Sequence, residues 1–313
     1  MRALVAAPKA PGRIEIREDA EPEPAANQAV VEVHAASLNR GEVSALRDAD
    51  EGWRPGWDLA GSVARAAADG TGPAEGTRVV GWVNGGAWAE RAAVRTDHLA
   101  AIPDSLSFET AATLPVAGLT AVGVLSVTGN LLGRSVAITG ASGGVGRFAV
   151  QLAHMAGAHV TAIVGRPERE EGLGDLGADE ISVGLAPEGE AFDLIAESVG
   201  GESLSAALAR VAPHGLIVTF GNSSGEPVSF DPRTFYRKGS PTMLGYFVTH
   251  ELMEGRIGSS RLAALAELVA EGRLVSQIDR IVPWTEAASA IEALLGRRVK
   301  GKAVLLLDER PAS

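Results

Sequence analysis

Short stretches in which apolar and polar residues alternate fill roughly the first 115 residues, and glycine or proline stands between them. Alternation with a period of two is typical of strands that bury one face. Strands are predicted at 2–7, 13–17, 29–36, 59–66, 78–82 and 88–94. Turn signals such as Pro11-Gly12 and Asn84-Gly85-Gly86 separate them. This part of the chain is therefore expected to form a mostly β, partly closed barrel.

The pattern changes near residue 116, where apolar strands begin to alternate with helices. Strands are predicted at 135–139, 159–164, 180–183, 192–197, 215–220 and 242–247. One helix is predicted to end near Ala156 and the next near Gly177. Such repeated units favour a doubly wound parallel sheet. Two amphipathic helices, 261–271 and 285–295, then precede a last strand at 302–307, and the tail from Glu309 to Ser313 is expected to be frayed.

Composition narrows the class of protein. Of the 313 residues, 46% are hydrophobic, which is enough for two domains with their own cores. The formal net charge of −11 would repel a phosphate backbone, so no nucleic-acid partner is expected. The absence of cysteine excludes disulfides and cysteine-ligated zinc. Because no signal-peptide pattern and no membrane-length apolar run is found, we expect a cytoplasmic protein without a membrane partner.

The strongest local signal lies between Ser135 and Gly146, where an apolar strand runs into a glycine-rich turn that opens a helix. A dinucleotide-binding turn requires this context. Glycines let the backbone approach a pyrophosphate, and the helix N-terminus offers it N–H groups. The predicted cofactor residues of this turn are Ser142, Gly143, Gly144 and Val145. The alternative is a packing turn that binds nothing, and the surrounding strand–helix units argue against it.

The end of the next strand distinguishes NADPH from NADH. An NAD site usually has an acidic residue there, whereas an NADP site has a cation for the 2′-phosphate. No acid stands at this strand end, and Arg166 and Arg169 follow Gly165 closely. Because guanidinium suits phosphate, NADPH is the predicted cofactor and Arg166 its main cation. The alternative, two solvated arginines at the start of a helix, is nearly as good for Arg169.

Four motifs, in this order along the chain, together resemble those of the medium-chain dehydrogenase/reductase superfamily: residues 37–40, 56–63, 114–120 and 141–146. Within it, the chain looks most like zinc-free quinone oxidoreductases and the enoyl reductases of polyketide synthases. The resemblance implies an α/β protein with a GroES-like β-rich catalytic domain at 1–117. It further implies a Rossmann NADPH-binding domain at 118–247 and a C-terminal segment, 248–313, that returns to the catalytic domain.

The same resemblance implies residues for the cofactor site. Asn39 corresponds to the asparagine near the nicotinamide, and Thr120 to a threonine of the same family motif. Gly165 and Arg169 fall at the adenosine-phosphate end. A loop beside the nicotinamide ribose and a strand end that holds the nicotinamide amide complete the set: Phe220, Gly221, Asn222, Tyr246 and Phe247.

The predicted reaction is hydride transfer from NADPH to a quinone or an α,β-unsaturated carbonyl substrate, without zinc. Three side chains are candidates to donate a hydrogen bond to the carbonyl oxygen on which charge develops: Asn39, Arg40 and Tyr246. Arg40 could equally pair with Glu42, and Tyr246 could be core packing. Asp58, which stands where metal-bearing relatives have an acid, is interpreted as a structural hydrogen-bonding residue.

Other functions remain open at this point. The fold could serve a non-redox enzyme, such as a cyclase or dehydratase, or a non-enzymatic NADPH-binding protein. The resemblance also implies a homodimer that joins parallel sheets at their edges, with 242–247 as the candidate strand. Trp53 and Trp57 could wall an apolar substrate pocket or could be ordinary core residues.

Overall fold

The computed structural model describes residues 1–307, so the predicted frayed tail, Glu309 to Ser313, lies outside the described residues. The chain divides into two compact units. The β-rich unit comprises residues 1–119 and the described residues from 249 onward, and the parallel-sheet unit comprises residues 120–248. The domain boundaries expected from the sequence, 117/118 and 247/248, lie close to those of the two units.

The strands, in chain order, are β1 (Arg2–Ala6), β2 (Ile14–Glu18), β3 (Gln28–Ser37), β4 (Asp58–Arg65), β5 (Arg78–Trp82), β6 (Arg91–Arg95), β7 (Leu99–Ala101), β8 (Ser135–Thr139), β9 (His159–Val164), β10 (Glu180–Val183), β11 (Phe192–Glu197), β12 (Val211–Thr219), β13 (Thr242–Gly245), β14 (Ile278–Pro283) and β15 (Lys302–Leu306). The helices are α1 (Arg40–Ala45), α2 (Phe108–Ala111), α3 (Pro115–Ser126), α4 (Gly144–Met155), α5 (Gly201–Arg210), α6 (Pro232–Tyr236), α7 (Val248–Met253), α8 (Ser259–Ala270) and α9 (Ala287–Leu295).

The β-rich unit is built around the long strand β3. Strands β1 and β2 form a small antiparallel sheet, and a seven-stranded sheet has the order β14-β15-β3-β4-β5-β7, with β6 also paired to β3. β3 has neighbours along both edges, and most of its residues are buried. The hydrophobic core of the β-rich unit includes Leu59, Trp88 and Trp284. The β-rich character expected from the sequence is confirmed.

The last described strand returns to this sheet. β15 pairs antiparallel with β3 and parallel with β14, and Leu305 lies opposite Ala36. A second link between early and late segments is a hydrogen bond of 3.0 Å that joins His98 Nε2 to the carbonyl of Leu252. The β-rich unit is therefore assembled from both ends of the chain.

The parallel-sheet unit has six strands in the order β10-β9-β8-β11-β12-β13, and every described pairing in it is parallel. The order reverses between β8 and β11, as in a doubly wound sheet. Strands β8, β9, β10 and β11 have the predicted bounds. These strands are short apolar runs ended by glycine or polar residues, which is why the pattern located them. The predicted α/β class is confirmed.

The predicted helix that ends near Gly177 is wrong. Only a 3₁₀ turn over Pro167–Arg169 forms there, and turns follow as far as Gly177. Gly172 and Gly177 have φ values of 74° and 98°. These are left-handed backbone angles that an α-helix cannot contain, and glycine adopts them without strain. The apolar residues of this segment therefore lie in turns and not on one face of a helix.

Helix α3 was not predicted from the pattern. It is buried on all sides along most of its length, so it has no polar face to produce a helical period. Within residues 1–307, no helix combines the length and the apolar character needed to cross a membrane.

Candidate functional site

The predicted cofactor residues of the parallel-sheet unit follow the carboxyl ends of its strands. Since the strands are parallel, these ends lie along one edge of the sheet, and ligands of doubly wound folds bind there beside the point where strand order reverses. The segments at this edge are 140–146 after β8, 165–169 after β9, 198–200 after β11, 220–222 after β12 and 246–247 after β13. The fold thus brings together residues that are far apart in sequence.

The glycine-rich turn after β8 is a tight turn that leads directly into helix α4. Gly140 has a φ of 62°, and a Cβ at Gly146 would lie 2.5 Å from the carbonyl oxygen of Gly140. No larger residue fits Gly146 without moving the backbone. Helix α4 begins at Gly144, so its first N–H groups lack acceptors inside the helix and carry positive potential. Ser142, Gly143 and Val145, which the sequence predicts as cofactor residues, stand in or beside this turn, and helix N-termini of this kind bind anions in other proteins.

Arg166 and Arg169 lie in different environments. Arg166 is exposed just past the end of β9, beside Gly165, where an added Cβ would meet nothing within 4 Å. Arg169 is only 8% exposed, so the interpretation of a solvated side chain does not hold for it. The open space and the exposed guanidinium are what a phosphate ligand would need at this strand end.

Tyr246 and Thr120 are brought together by helix α3. A Cβ on Gly123 would collide with the hydroxyl oxygen of Tyr246, so the tyrosine ring end lies against the helix backbone. Thr120 is buried one turn earlier, on the same face of the helix as Gly123. Phe247, the next residue, is 56% exposed. Glycine at position 123 is therefore a packing requirement of the tyrosine.

Asn39 belongs to a second group of polar residues, in the β-rich unit. We call Ser37, Asn39, Glu42, Asp58 and Lys302 the buried amide cluster. Asn39 Nδ2 lies 2.7 Å from Asp58 Oδ2 and 3.3 Å from Glu42 Oε1, and Asn39 Oδ1 lies 2.6 Å from Lys302 Nζ. Asn39 is 8% exposed, and the other members are at most 4% exposed. The side chain of Asn39, a predicted site residue, is therefore bonded to buried charged or acidic side chains.

Asp58 is the centre of the buried amide cluster. Its Oδ2 accepts hydrogen bonds from Ser37 Oγ at 2.8 Å and from Asn39 Nδ2, and lies 3.4 Å from Lys302 Nζ. Its Oδ1 accepts from the backbone N–H of Val116 at 3.0 Å, in the first turn of α3. A carboxylate at a helix N-terminus is favoured by the helix dipole. The structural role predicted for Asp58 thus rests on four contacts, which come from β3, β15 and α3 as well as from Asn39.

Burial shifts the two other ionisable members of the cluster. Desolvation raises the pKa of Glu42 well above its usual value, and the charge of Asp58 adds to that rise. Desolvation also lowers the pKa of Lys302, against the opposing effect of Asp58 and Glu42. Lys302 Nζ nevertheless lies near three oxygen acceptors, Leu38 O at 3.1 Å as well as Asn39 Oδ1 and Asp58 Oδ2, so it needs three hydrogens and is an ammonium ion. Burial thus favours the neutral form of Glu42.

Arg40 does not form the surface pair with Glu42 that the sequence left open. Glu42 is buried and instead accepts a hydrogen bond of 2.7 Å from the backbone N–H of Asn39. The Arg40 guanidinium donates to the carbonyl of Leu294 at 3.3 Å. Desolvation, and then Arg297, lower the pKa of Arg40. This single bond leaves most of the N–H groups of Arg40 for other partners.

The two tryptophans have different neighbours. Trp53 packs against the core of the β-rich unit. The six-membered ring of Trp57 lies against Gly41, where a Cβ would come within 2.6 Å of it. Neither contact defines a substrate pocket. In the part of the chain that the structure describes, no cluster of three or more histidine, cysteine or acidic side chains is arranged to hold a metal ion.

Two family models match the chain. The one described as "Alcohol dehydrogenase GroES-like domain" matches residues 25–104, and the one described as "Zinc-binding dehydrogenase" matches residues 176–305. A quinone oxidoreductase from Pseudomonas aeruginosa is 31% identical over 71% of this chain and 71% of its own length. The chain belongs to the medium-chain dehydrogenase/reductase superfamily. Within that superfamily it is quinone oxidoreductase-like.

Other similar proteins extend the likeness over nearly the whole chain. The spectinabilin polyketide synthase system protein NorB of Streptomyces orinoci is 32% identical over 96% of this chain, which spans 13% of that longer protein. A mycobacterial protein solved in complex with NADPH has a TM-score of 0.88 at 25% identity, covering 98% of this chain and all of the other. The quinone oxidoreductase from Coxiella burnetii has a TM-score of 0.84 at 26% identity, with 98% and 99% covered.

Glu197 and Lys302 were not predicted from the sequence as site residues. Glu197 is fully buried at the end of β11, where its carboxylate accepts from Thr139 Oγ1 and from the N–H groups of Val199 and Gly200. Glu197 thereby connects the loop after β11 to β8, at the point where the strand order reverses. An acidic residue ending one apolar strand, and a lysine beginning another, are the signals that could have identified them.

We predict that Glu42→Gln stabilises this oxidoreductase-family chain, and more at high pH than at low pH. A raised pKa in the folded state means that the contribution of Glu42 is fully present below the ordinary glutamate pKa of 4.5 and is lost as pH rises through the raised value. Glutamine keeps the acceptor oxygen and cannot ionise. The Tm should rise by about 2–4 °C at pH 8.5 and by less at pH 5, measured by thermal unfolding.

The control is Glu32→Gln, the same change at an exposed position of β3. It should leave the Tm nearly unchanged at both pH values. A Glu42→Gln variant that is less stable than the wild type at pH 8.5 would contradict the raised pKa of the buried Glu42.

Proposed function

We propose that the chain is an NADPH-dependent oxidoreductase that reduces a quinone or an α,β-unsaturated carbonyl compound without zinc. The observation that carries the proposal is the pair of neighbouring strand ends in the parallel-sheet unit. β8 ends in the glycine turn that opens α4, and β9, its direct neighbour, ends at Gly165 and the exposed Arg166. A pyrophosphate and a 2′-phosphate would find complementary groups at these two ends.

The residues present fit NADPH. Ser142, Gly143, Gly144 and Val145 would bind the pyrophosphate, and Arg166 would bind the 2′-phosphate. Residues at the ends of β12 and β13, with Thr120, would hold the nicotinamide half: Phe220, Gly221, Asn222, Tyr246 and Phe247. The cofactor supplies a hydride when bound, and the protein supplies orientation and electrostatics. Arg169 is proposed to support the adenosine end from its buried position.

On the substrate side, we propose that Arg40 donates a hydrogen bond to the carbonyl oxygen as negative charge develops on it. Its half-buried guanidinium has one described protein acceptor, Leu294 O. A charged donor in a place with little water stabilises a developing oxyanion strongly. Tyr246 is a weaker candidate, because its hydroxyl lies against Gly123. Zinc independence is supported by the absence of any cysteine from the sequence.

The relatives support this proposal at the level of reaction class. The Pseudomonas aeruginosa relative is named a quinone oxidoreductase, and the mycobacterial structure contains NADPH. A further relative, from mouse, is named prostaglandin reductase-3. These names include a quinone and a prostaglandin as acceptors, so the acceptor of this chain has to be determined by experiment.

The deciding experiment measures oxidation of NADPH by the purified chain with a panel of quinones, enones and enoyl thioesters. We expect turnover of at least one conjugated acceptor after treatment with a metal chelator, and none with a saturated ketone of the same size. NADPH binding without turnover of any acceptor would favour the non-enzymatic alternative. Conversion of a substrate without net nicotinamide oxidation would favour a cyclase or dehydratase.

Arg166→Ala should weaken NADPH binding selectively. Loss of a charge-assisted contact to the 2′-phosphate should raise the Kd for NADPH by about tenfold or more and change the Kd for NADH by less than about threefold. Titration calorimetry measures both constants. The matched control is Arg134→Ala, since Arg134 precedes β8 at its amino end, away from the predicted ligand edge. Equal weakening of NADPH and NADH by Arg166→Ala would contradict the assignment.

We also propose that the chain forms a homodimer through β13. β13 is an edge strand of the six-stranded sheet, and all of its residues are exposed. Met243 and Leu244 are 46% and 39% exposed, so apolar side chains line an edge whose backbone groups are open to pairing. Exposed apolar edges of this kind are usually protected by charge, proline or a partner strand. A second copy of this chain would supply that strand.

Met243→Pro should convert this dimer into a monomer. Tyr246 N–H donates to Thr219 of β12, and backbone directions alternate along a strand, so Met243 N–H points away from β12. Proline removes that outward donor and leaves the β12 ladder intact. Met243→Thr, which keeps the N–H, is the control and should remain dimeric. Light scattering after size exclusion gives the mass, and a dimeric Met243→Pro variant would disprove pairing through β13.

A further inference from the structure

The amide of Asn39 is bonded at both ends to buried charged or acidic groups. Its Nδ2 donates to Asp58 Oδ2 at 2.7 Å and lies 3.3 Å from Glu42 Oε1. Its Oδ1 accepts from Lys302 Nζ at 2.6 Å. A primary amide has two N–H hydrogens, and Asp58 and Glu42 together take both. No hydrogen of this side chain is left for a ligand.

The orientation of the amide follows from its partners. Turning the Asn39 side chain over would place its NH₂ group against the Lys302 ammonium and its oxygen against the carboxylate of Asp58. Both contacts would then be repulsive, donor against donor and acceptor against acceptor. Lys302 and Asp58 therefore select one of the two possible orientations. The hydrogen-bonding partners, rather than the shape of the amide, fix which atom is oxygen.

The only capacity that remains on the side chain is on the oxygen. An amide oxygen has two lone pairs, and Lys302 uses one of them. The three hydrogens of Lys302 are directed at Leu38 O, Asn39 Oδ1 and Asp58 Oδ2, so this lysine has none left for a substrate. Asn39 is the most accessible member of the buried amide cluster, with 8% of its surface exposed. A ligand would meet the cluster at Asn39.

We infer that Lys302 is a positioning residue that fixes the Asn39 amide so that Asn39 acts as a hydrogen-bond acceptor, and that its ligand is an N–H or O–H donor. This inference rests on the proposed function for the identity of the ligand. The donor is either the carboxamide N–H of the cofactor or a hydroxyl of the substrate. Asn39 consequently does not stabilise the oxyanion, and that task falls to another donor, such as Arg40.

A charge-swapped double variant, Asn39→Asp combined with Asp58→Asn, tests the polarity of Asn39. Position 39 then keeps an oxygen toward Lys302, and the amide introduced at position 58 donates to the second oxygen of the carboxylate at position 39. Val116 N–H keeps an acceptor in the carbonyl oxygen of that new amide, and the net charge of the cluster is unchanged. An acceptor remains at position 39, but every side-chain donor there is removed.

We expect the double variant to recover kcat to within about tenfold of wild type, whereas loss of an oxyanion donor typically costs about 10²–10³-fold. Asn39→Asp alone opposes two carboxylates and should be far less active and less stable. Asn39→Leu, which has no acceptor, should also be far less active while still folding. A folded double variant with wild-type NADPH affinity and the kcat of Asn39→Leu would overturn the inference.

The role of Lys302 is tested with its partner removed at the same time. Lys302→Met combined with Asp58→Asn is charge-balanced, so no unpaired ion is buried. The amide introduced at position 58 can donate to Asn39 Oδ1, so either orientation of Asn39 is then allowed. We expect kcat to fall while the Kd for NADPH, measured by titration, changes by less than about threefold. Unchanged kcat in a folded variant would overturn the positioning role.

A measurement without turnover separates this inference from the proposed function. The chain has five asparagines, so asparagine-selective ¹⁵N labelling gives five side-chain amide signals in NMR spectra. The signal lost in Asn39→Leu should show slow exchange with water, since both of its hydrogens are bonded to buried acceptors. Fast exchange would overturn the inference even if the enzyme is active, and slow exchange would support it even if no acceptor is turned over.

The two possible donors are separated with a cofactor analogue in which an acetyl group replaces the carboxamide. If the carboxamide is the donor, wild type should bind the reduced analogue more weakly than NADPH, and Asn39→Leu should bind the two alike. If the substrate hydroxyl is the donor, both proteins should show the same preference, and Asn39→Leu should raise KM for the acceptor. Neither effect in a correctly folded Asn39→Leu variant would overturn the assignment of Asn39 as an acceptor.

Discussion

The β-rich unit depends on one constraint, the burial of the Asp58 carboxylate. An ionised carboxylate without water costs several kcal/mol unless charges and hydrogen bonds compensate. Asp58 is fully buried, and its compensation comes from Ser37 on β3, Lys302 on β15 and the N-terminus of α3 at Val116. Each of those elements has to be in place for the carboxylate to be satisfied. The contacts that compensate for burial of the Asp58 carboxylate therefore also fix the relative positions of β3, β4, β15 and α3.

The parallel-sheet unit differs from the β-rich unit in how its candidate site is built. Its edge of strand ends presents backbone N–H groups and the exposed guanidinium of Arg166, and its buried charged residues include Glu197 and Arg169. The loop after β11 is held by that carboxylate through the N–H groups of Val199 and Gly200. Rigid turns at this edge suit a large anionic ligand, because little ordering is left to occur on binding.

How much could be predicted from sequence depended on whether the pattern marked the type and the ends of a segment. The strands β8 to β11 were located because apolar runs end sharply at glycine or charged residues. α3 was missed because it is buried all round, and the helix near Gly177 was wrong because apolar spacing concealed glycines that need positive φ. For the candidate site, turn chemistry predicted Ser142 to Val145 and the lack of an acid at the next strand end predicted Arg166, whereas Lys302 could not be connected to Asp58, 244 positions away in the chain. Pairing of distant ions depends on tertiary structure, which a pattern of period two or 3.6 does not contain.

The charge of the buried amide cluster limits what it can contribute to a hydride transfer. The charges of the Lys302 ammonium and the Asp58 carboxylate cancel, and burial favours the neutral form of Glu42, so the cluster presents a polarised but uncharged oxygen at Asn39. An uncharged acceptor orients a donor group without opposing, through long-range repulsion, the negative charge that develops on a carbonyl oxygen. The positive charge of Arg40 is not cancelled in this way, because no acidic partner holds it among residues 1–307 and only the carbonyl of Leu294 is bonded to it. Orientation and charge stabilisation are thus assigned to two adjacent residues, and each can be altered without removing the other.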